Sequence, residues 1–191
     1  MMQDNLTKEE QKFLLNLARR ALEYYFQYQE IFPLRESDII SKKFLEKRGV
    51  FVTLWKNGEL RGCIGSLEPQ KSIIQSVIEN ALSSALFDPR FVPVNRQELD
   101  DIKIEISILS PLKPLKVNNP KELLDYLARN KPGLVLDCEG ARATFLPQVW
   151  EEIDKPQEFL EQLSLKAGLN KDAWKSKEAK FFEYEAFVFQ E

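Results

Sequence analysis

The chain has 191 residues, 43% hydrophobic and 30% charged, with 27 basic against 30 acidic side chains for a net charge of −3. These proportions describe a globular protein with one sizeable core or two small intertwined ones, and argue against a dominant phosphate-backbone binder. The absence of histidine excludes a Ser-His-Asp triad, a Cys-His dyad and any histidine-ligated metal within the chain.

In chain order, Thr7-Lys8-Glu9-Glu10 predicts a capping box, and Leu14, Leu17, Ala18, Ala21, Leu22 and Tyr25 follow at helical spacing as one buried stripe. Pro33 ends that pattern. Lys42, Lys43, Lys47 and Arg48 form a local basic patch whose spacing with Phe44 and Leu45 reads as a solvated face. Asn57-Gly58, within the segment 49–66, predicts a two-residue hairpin turn. Extending the register from that turn sets Trp55 against Leu60, Leu54 against Arg61, Thr53 against Gly62, Val52 against Cys63 and Phe51 against Ile64. In that register Phe51, Ile64, Trp55 and Leu60 share an apolar face while Arg61 and Cys63 point together from the other.

Ser72-Ile73-Ile74-Gln75 reads as a second capping box. The helix behind it carries Ile73, Ile74, Val77, Ile78, Ala81, Leu82 and Ala85, and Asp88-Pro89 stops it. From Ile102 to Leu109 the period changes to two, with Lys103, Glu105 and Ser107 on the polar side. Asn119-Pro120 then opens a short helix, and a hairpin is read over 133–145 around Glu139-Gly140. A further helix runs from Pro156 to a closing Gly168, and Lys180 to Phe189 reads as one last strand with Phe182, Tyr184, Ala186 and Val188 on one face. Helix, hairpin, helix, strand thus occurs twice. The class is α+β: two intertwined subdomains with a largely antiparallel or mixed sheet flanked by helices. One domain over residues 1–191 is expected, with a subdomain seam near 110–119.

Two cysteines, Cys63 and Cys138, make no disulfide framework and no four-thiolate cluster, which fits a reducing compartment. Met1-Met2-Gln3-Asp4-Asn5 is polar with no apolar stretch after it, so neither a signal peptide nor a membrane span is read, and a cytoplasmic location is expected. No Walker loop or dinucleotide fingerprint occurs; no cofactor and no metal are expected.

The segment Leu60-Arg61-Gly62-Cys63-Ile64-Gly65-Ser66 concentrates the chemistry. Cys63 is read either as a nucleophile whose ionisation Arg61 and the N–H groups near Gly62 and Gly65 promote, or as a small buried hydrophobe. Arg61 and Arg90 offer planar forks for carboxylate or phosphate; Arg90 follows the Asp88-Pro89 turn, and pairing with Asp88 is its alternative. Glu105 is read as the general base, or as the partner that orients Arg61, if its polar strand face lines the same cleft, and as an ordinary exposed residue otherwise. Asn80 sits at the edge of its helix's apolar stripe, facing either a ligand or a nearby loop. Cys138 reads as structural filler, and Phe145-Leu146-Pro147-Gln148-Val149-Trp150 as a hydrophobic plug or a pocket wall.

Taken together these segments resemble the AMMECR domain family, protein A of the AmmeMemoRadiSam systems. The resemblance rests on Gly49-Val50-Phe51-Val52-Thr53-Leu54, the Arg61-Gly62-Cys63-Ile64-Gly65-Ser66 run, Val77-Ile78-Glu79-Asn80-Ala81, Asp88-Pro89-Arg90-Phe91 with Pro93, the strand of Glu105, and Phe145 to Trp150. It implies a compact α+β protein of two subdomains with a cleft at the Arg-Gly-Cys-Ile-Gly loop. It also implies association with a Memo-like protein and a radical S-adenosylmethionine protein, without a settled reaction. The expected site is Cys63 and Glu105 for chemistry, with Arg61, Gly62, Gly65, Ser66, Asn80, Asp88 and Arg90 for a small anionic ligand. Turnover stays open. The alternatives are a non-catalytic interaction scaffold and, against the acidic charge, a nucleic-acid-associated regulator.

Overall fold

A computed structural model describes residues 6–191; the polar N-terminal pentapeptide lies outside them. The first helix, α1 (Lys8–Tyr28), begins where the sequence places it. Thr7 Oγ1 accepts from the Glu10 amide at 3.2 Å, and the Glu10 carboxylate accepts from the Thr7 amide at 2.7 Å. Its Leu14, Leu17, Ala18, Ala21 and Leu22 are buried.

Strands β1 (Val50–Lys56) and β2 (Glu59–Ser66) turn at Asn57 and Gly58, with φ of 54° and 83°. Left-handed backbone at both positions is what a tight hairpin of the favoured hand requires. The expected register holds for Lys56 with Glu59 and Trp55 with Leu60 only. Beyond them the ladder slips at a bulge, so that Leu54 faces Gly62, Thr53 faces Cys63, Val52 faces Ile64 and Phe51 faces Gly65. Unshifted pairing would set Arg61 opposite Leu54, which has no exposed surface, on the face that a helix covers. Burying an unpaired guanidinium there is costly; the bulge takes Arg61 out of the ladder and presents glycine instead.

That helix is α2 (Ile73–Leu86). Ser72 occupies its N-cap, but the reciprocal box read from the sequence does not form: the Ser72 hydroxyl donates to Gln75 Oε1 at 3.0 Å. A 3-10 turn over Arg96–Asp101 leads into β3 (Ile102–Leu109), antiparallel to β1. Next come β4 (Lys113–Leu115), α3 (Pro120–Asn130), β5 (Gly133–Cys138), β6 (Ala141–Phe145), α4 (Pro156–Lys166), β7 (Lys180–Tyr184) and β8 (Ala186–Gln190).

The chain forms two compact units, one ending at Ser110 and completed by Phe187–Glu191, the other spanning Pro111–Ala186. The first contains a sheet of order β2-β1-β3-β8, the second a sheet of order β4-β7-β5-β6. α1 and α2 cover one face of the first sheet and bury its Val50, Val52, Leu54, Ile104 and Ile106. The core of the second unit gathers Leu123, Leu134, Leu136, Trp150, Phe159 and Phe181. The single last strand is therefore corrected to two strands in different sheets, broken at Glu185. Tyr184 is buried and Val188 is 38% exposed, so the expected common face does not exist.

The bulge and the turn place different demands on their glycines. A Cβ on Gly62 would lie 2.1 Å from the Ser84 carbonyl oxygen, whereas one on Gly58 meets nothing within 4 Å and only suffers its φ of +83°. Gly62→Ala is expected to cost about 3 kcal/mol through forced backbone shifts, and Gly58→Ala about 1 kcal/mol. Urea unfolding midpoints check the order, and equal losses would contradict it.

Candidate functional site

On the face of the first sheet away from α1 and α2, alternation and the shifted register line up three side chains on neighbouring strands. Cys63 of β2 and Glu105 of β3 both take Thr53 of β1 as Cα partner. Thr53 is 6% exposed, and its Oγ1 donates to Cys63 Sγ at 3.3 Å. Cys63 itself is half-buried.

The loop after α2 grips the same strand. The Cys63 amide donates to Asp88 Oδ2 at 2.8 Å. Asp88 also accepts from the Arg90 amide at 3.1 Å, from Arg90 Nε at 3.0 Å and from Arg90 Nη2 at 2.7 Å. The Asp88 side chain is 2% exposed, while 53% of the Arg90 side chain meets solvent. Arg90, opposing the penalty of burial, holds the Asp88 carboxyl at about 2. Two α2 side chains strap the hairpin from its other face. Ser84 Oγ accepts from the Ile64 amide at 2.8 Å and donates to the Val52 carbonyl at 2.7 Å. Asn80 Nδ2 donates to the Val50 carbonyl at 2.9 Å, so its amide is committed to the strand.

Arg61 does not join this group. Its Nε and Nη2 bind Glu98 Oε2 and Oε1, both at 3.1 Å, and its Nη1 donates to the Val92 carbonyl at 2.9 Å. Lys56 Nζ reaches the same carboxylate at 2.9 Å. Arg61 chiefly, with Lys56, holds the Glu98 carboxyl at about 2 despite desolvation. This pair walls an open groove of about 620 Å³, lined also by Phe91, Val92 and Asn95. The expectation that Arg61 and Cys63 project together is thus corrected, because the bulge sends the guanidinium to Glu98. Of the two readings of Cys63, the one in which Arg61 promotes its ionisation loses that contact, since Arg61 is not among the groups acting on the thiol. Burial pushes the thiol above the ordinary cysteine value, Thr53 and then Arg90 oppose this, and Asp88 and Glu105 add to the rise.

The other motif residues frame the strand. A Cβ on Gly65 would lie 2.4 Å from the Phe51 ring, and Ser66 Oγ closes a turn by bonding the Glu68 amide and carbonyl, each at 3.2 Å. In the basic patch, Lys43 pairs with Glu10 at 3.2 Å and Arg48 with Glu46 at 3.0 Å. Cys138 is buried in the second core. Of the Phe145–Trp150 run, Trp150 stacks on Phe159 with centroids 3.7 Å apart and donates to the Pro132 carbonyl at 2.8 Å. Among the described residues no cluster of cysteine and carboxylate groups is placed to hold a metal ion, and no helix is long and apolar enough to cross a membrane.

Sequence reasoning passed over Thr53, Ser84 and Glu98. Glu98 did carry a signal: Asn95-Arg96-Gln97-Glu98 is a capping box, and Glu98 Oε1 accepts from the Asn95 amide at 3.1 Å. Thr53 and Ser84 carry none, since their partners come from other elements.

A profile of the AMMECR1 family matches residues 15–189. The chain belongs to the AMMECR1 family. Relatives reach across archaea: a protein of Methanopyrus kandleri is 41% identical over 198 residues, covering 100% of this chain and 92% of the relative. One from Methanothermobacter thermautotrophicus is 40% identical over 187 residues, covering 97% and 96%. The crystal structure of an uncharacterized protein from Pyrococcus horikoshii is similar with a TM-score of 0.89 at 33% identity, covering 97% of this chain and 93% of that one.

The two clamped carboxylates set an acid limit. Both have folded values of about 2, below their unfolded ones, so their stabilisation is complete above the unfolded carboxylate range and is lost as pH falls toward 2. Asp88→Asn and Glu98→Gln are each expected to lower stability at neutral pH by roughly 2 kcal/mol. Each should also flatten the decline between about pH 5 and 2, read by urea unfolding at stepped pH. A variant as steep as the wild type would remove that group from the account.

Proposed function

We propose that this AMMECR1-family protein binds a small anionic ligand against the Arg-Gly-Cys-Ile-Gly strand, with Arg90 as the contacting cation. The supporting observation is the Asp88 clamp. Asp88 bonds the Cys63 amide and two nitrogens of the Arg90 fork, while 53% of the Arg90 side chain stays in solvent. A guanidinium held in place loses little freedom on meeting a carboxylate or phosphate. In this reading Cys63 and Glu105 are the chemical groups. The backbone at Gly62 and Gly65, together with Ser66, borders the ligand, and Arg61, Asn80 and Asp88 hold the strand and loop in shape.

Thermal melts with inorganic phosphate and a set of small dicarboxylates test this. A bound anion is expected to raise the midpoint with the logarithm of its concentration once above Kd, worth about 2.7 kcal/mol of stability at a hundredfold excess over Kd. The double variant Asp88→Asn/Arg90→Gln, which leaves no buried carboxylate unpaired, should abolish the rise. An undiminished response in that variant would sink the proposal.

The proposal extends to a cytoplasmic setting, consistent with two unpaired thiols, and to a Memo-like protein and a radical S-adenosylmethionine protein as partners. Phe87 and Val92, on either side of the Asp88–Arg90 turn, are 71% and 77% exposed. Apolar side chains on a hydrogen-bonded loop are the kind that protein interfaces use, and they favour the second reading, a non-catalytic scaffold. Phe87→Ser and Val92→Ser should leave stability within about 0.5 kcal/mol and weaken capture of either partner by about tenfold or more. Unchanged capture would remove this loop from the interface.

A further inference from the structure

We propose that Thr53 is the positioning residue of the Cys63 thiol, taking in this histidine-free chain the orienting part that a base's imidazole plays beside other cysteines. The inference concerns the site proposed above for the anion and rests on Cys63 belonging to it.

Thr53 lies at the centre of the row, Cα partner to both Cys63 and Glu105. Its side chain is buried and β-branched, so its χ1 is restricted and the hydroxyl has little choice of direction. A buried hydroxyl normally spends its donor on a carbonyl; here it points at sulfur, 3.3 Å away. A donor at that position favours thiolate over thiol, and it fixes which side of the sulfur remains open. The charged groups acting on the sulfur are Arg90 and Asp88 from the loop after α2 and Glu105 from β3. From β1 the contribution is the neutral hydroxyl alone, and Ser84 of α2 spends its hydroxyl on the Val52 carbonyl. Arg90 is engaged by Asp88, which adds an opposing charge beside the same sulfur. Thr53 makes a direct hydrogen bond to the sulfur atom itself.

The test is alkylation of Cys63 by iodoacetamide across the alkaline range, resolved from the buried Cys138 by peptide mass spectrometry, with no ligand present. Thr53→Val keeps the shape and removes the donor. It should move the midpoint up by about one pH unit, which is roughly tenfold slower alkylation below the midpoint. Thr53→Ser restores the donor and should restore the wild-type profile, a rescue that bulk packing would not produce. Should the valine variant fail to fold, Thr53→Ala removes the same hydroxyl without added bulk and is read in its place. Coincident profiles for the wild type and the donor-less variant overturn the inference, and so does a serine variant displaced as far as valine. Because no anion enters the measurement, its failure is distinct from failure of the phosphate titration.

Discussion

Everything at the candidate site follows from the fact that Leu54 has no exposed surface. Its partner across the hairpin lies under α2, where an ion without a counter-charge is expelled. The strand answers with one extra residue, so Gly62 takes the place opposite Leu54 and Arg61 leaves the ladder. The bulge turns the two halves of the Arg-Gly-Cys motif to different surroundings. The guanidinium goes to Glu98 and the Lys56 groove. The thiol goes to the row shared with Thr53 and Glu105.

Two carboxylates then divide the cations of the region. Glu98 takes both Nε and Nη2 of Arg61, whose Nη1 goes to a carbonyl. Asp88 takes Nε and Nη2 of Arg90 and, in addition, the backbone of the Cys63 strand. Arg61 is therefore mostly withdrawn from solvent, and Arg90 is the one that keeps an accessible surface. Burial, and not a neighbouring cation, dominates the thiol. Burial in apolar surroundings disfavours thiolate, and the Thr53 hydroxyl and Arg90 are the groups that oppose it.

The second unit repeats the order of helix, hairpin, helix and strand with different means of support. Tyr184 fills the space that Gly133 leaves open, and its hydroxyl meets Thr144 Oγ1 at 2.7 Å and donates to the Phe145 carbonyl at 3.0 Å. Trp150 and Phe159 stack with planes 2° apart beneath the same hairpin. The first unit has a stacked pair of its own, Phe13 on the buried Phe44 with centroids 5.3 Å apart, beside its mainly aliphatic core.

Local signals were legible in the chain alone: the Thr7 and Asn119 caps, both left-handed hairpin turns, the stripes of α1 and α2, and the α+β class. Each depends on residues within a few positions of one another, where side-chain period and turn chemistry leave few choices. The bulge at Arg61, the strand break at Glu185, the Thr53–Cys63 contact and the bridging Ser84 were not legible. At Glu185 the alternation runs straight through with no glycine or proline to mark the break; at Arg61 the adjacent Gly62 marks a place where a bulge can form without saying that one does, and the other two join residues 10 and 32 positions apart. What sits above a strand is supplied by another element, so only the assembled fold determines which side chain must be glycine, which charge must leave and which hydroxyl finds a sulfur.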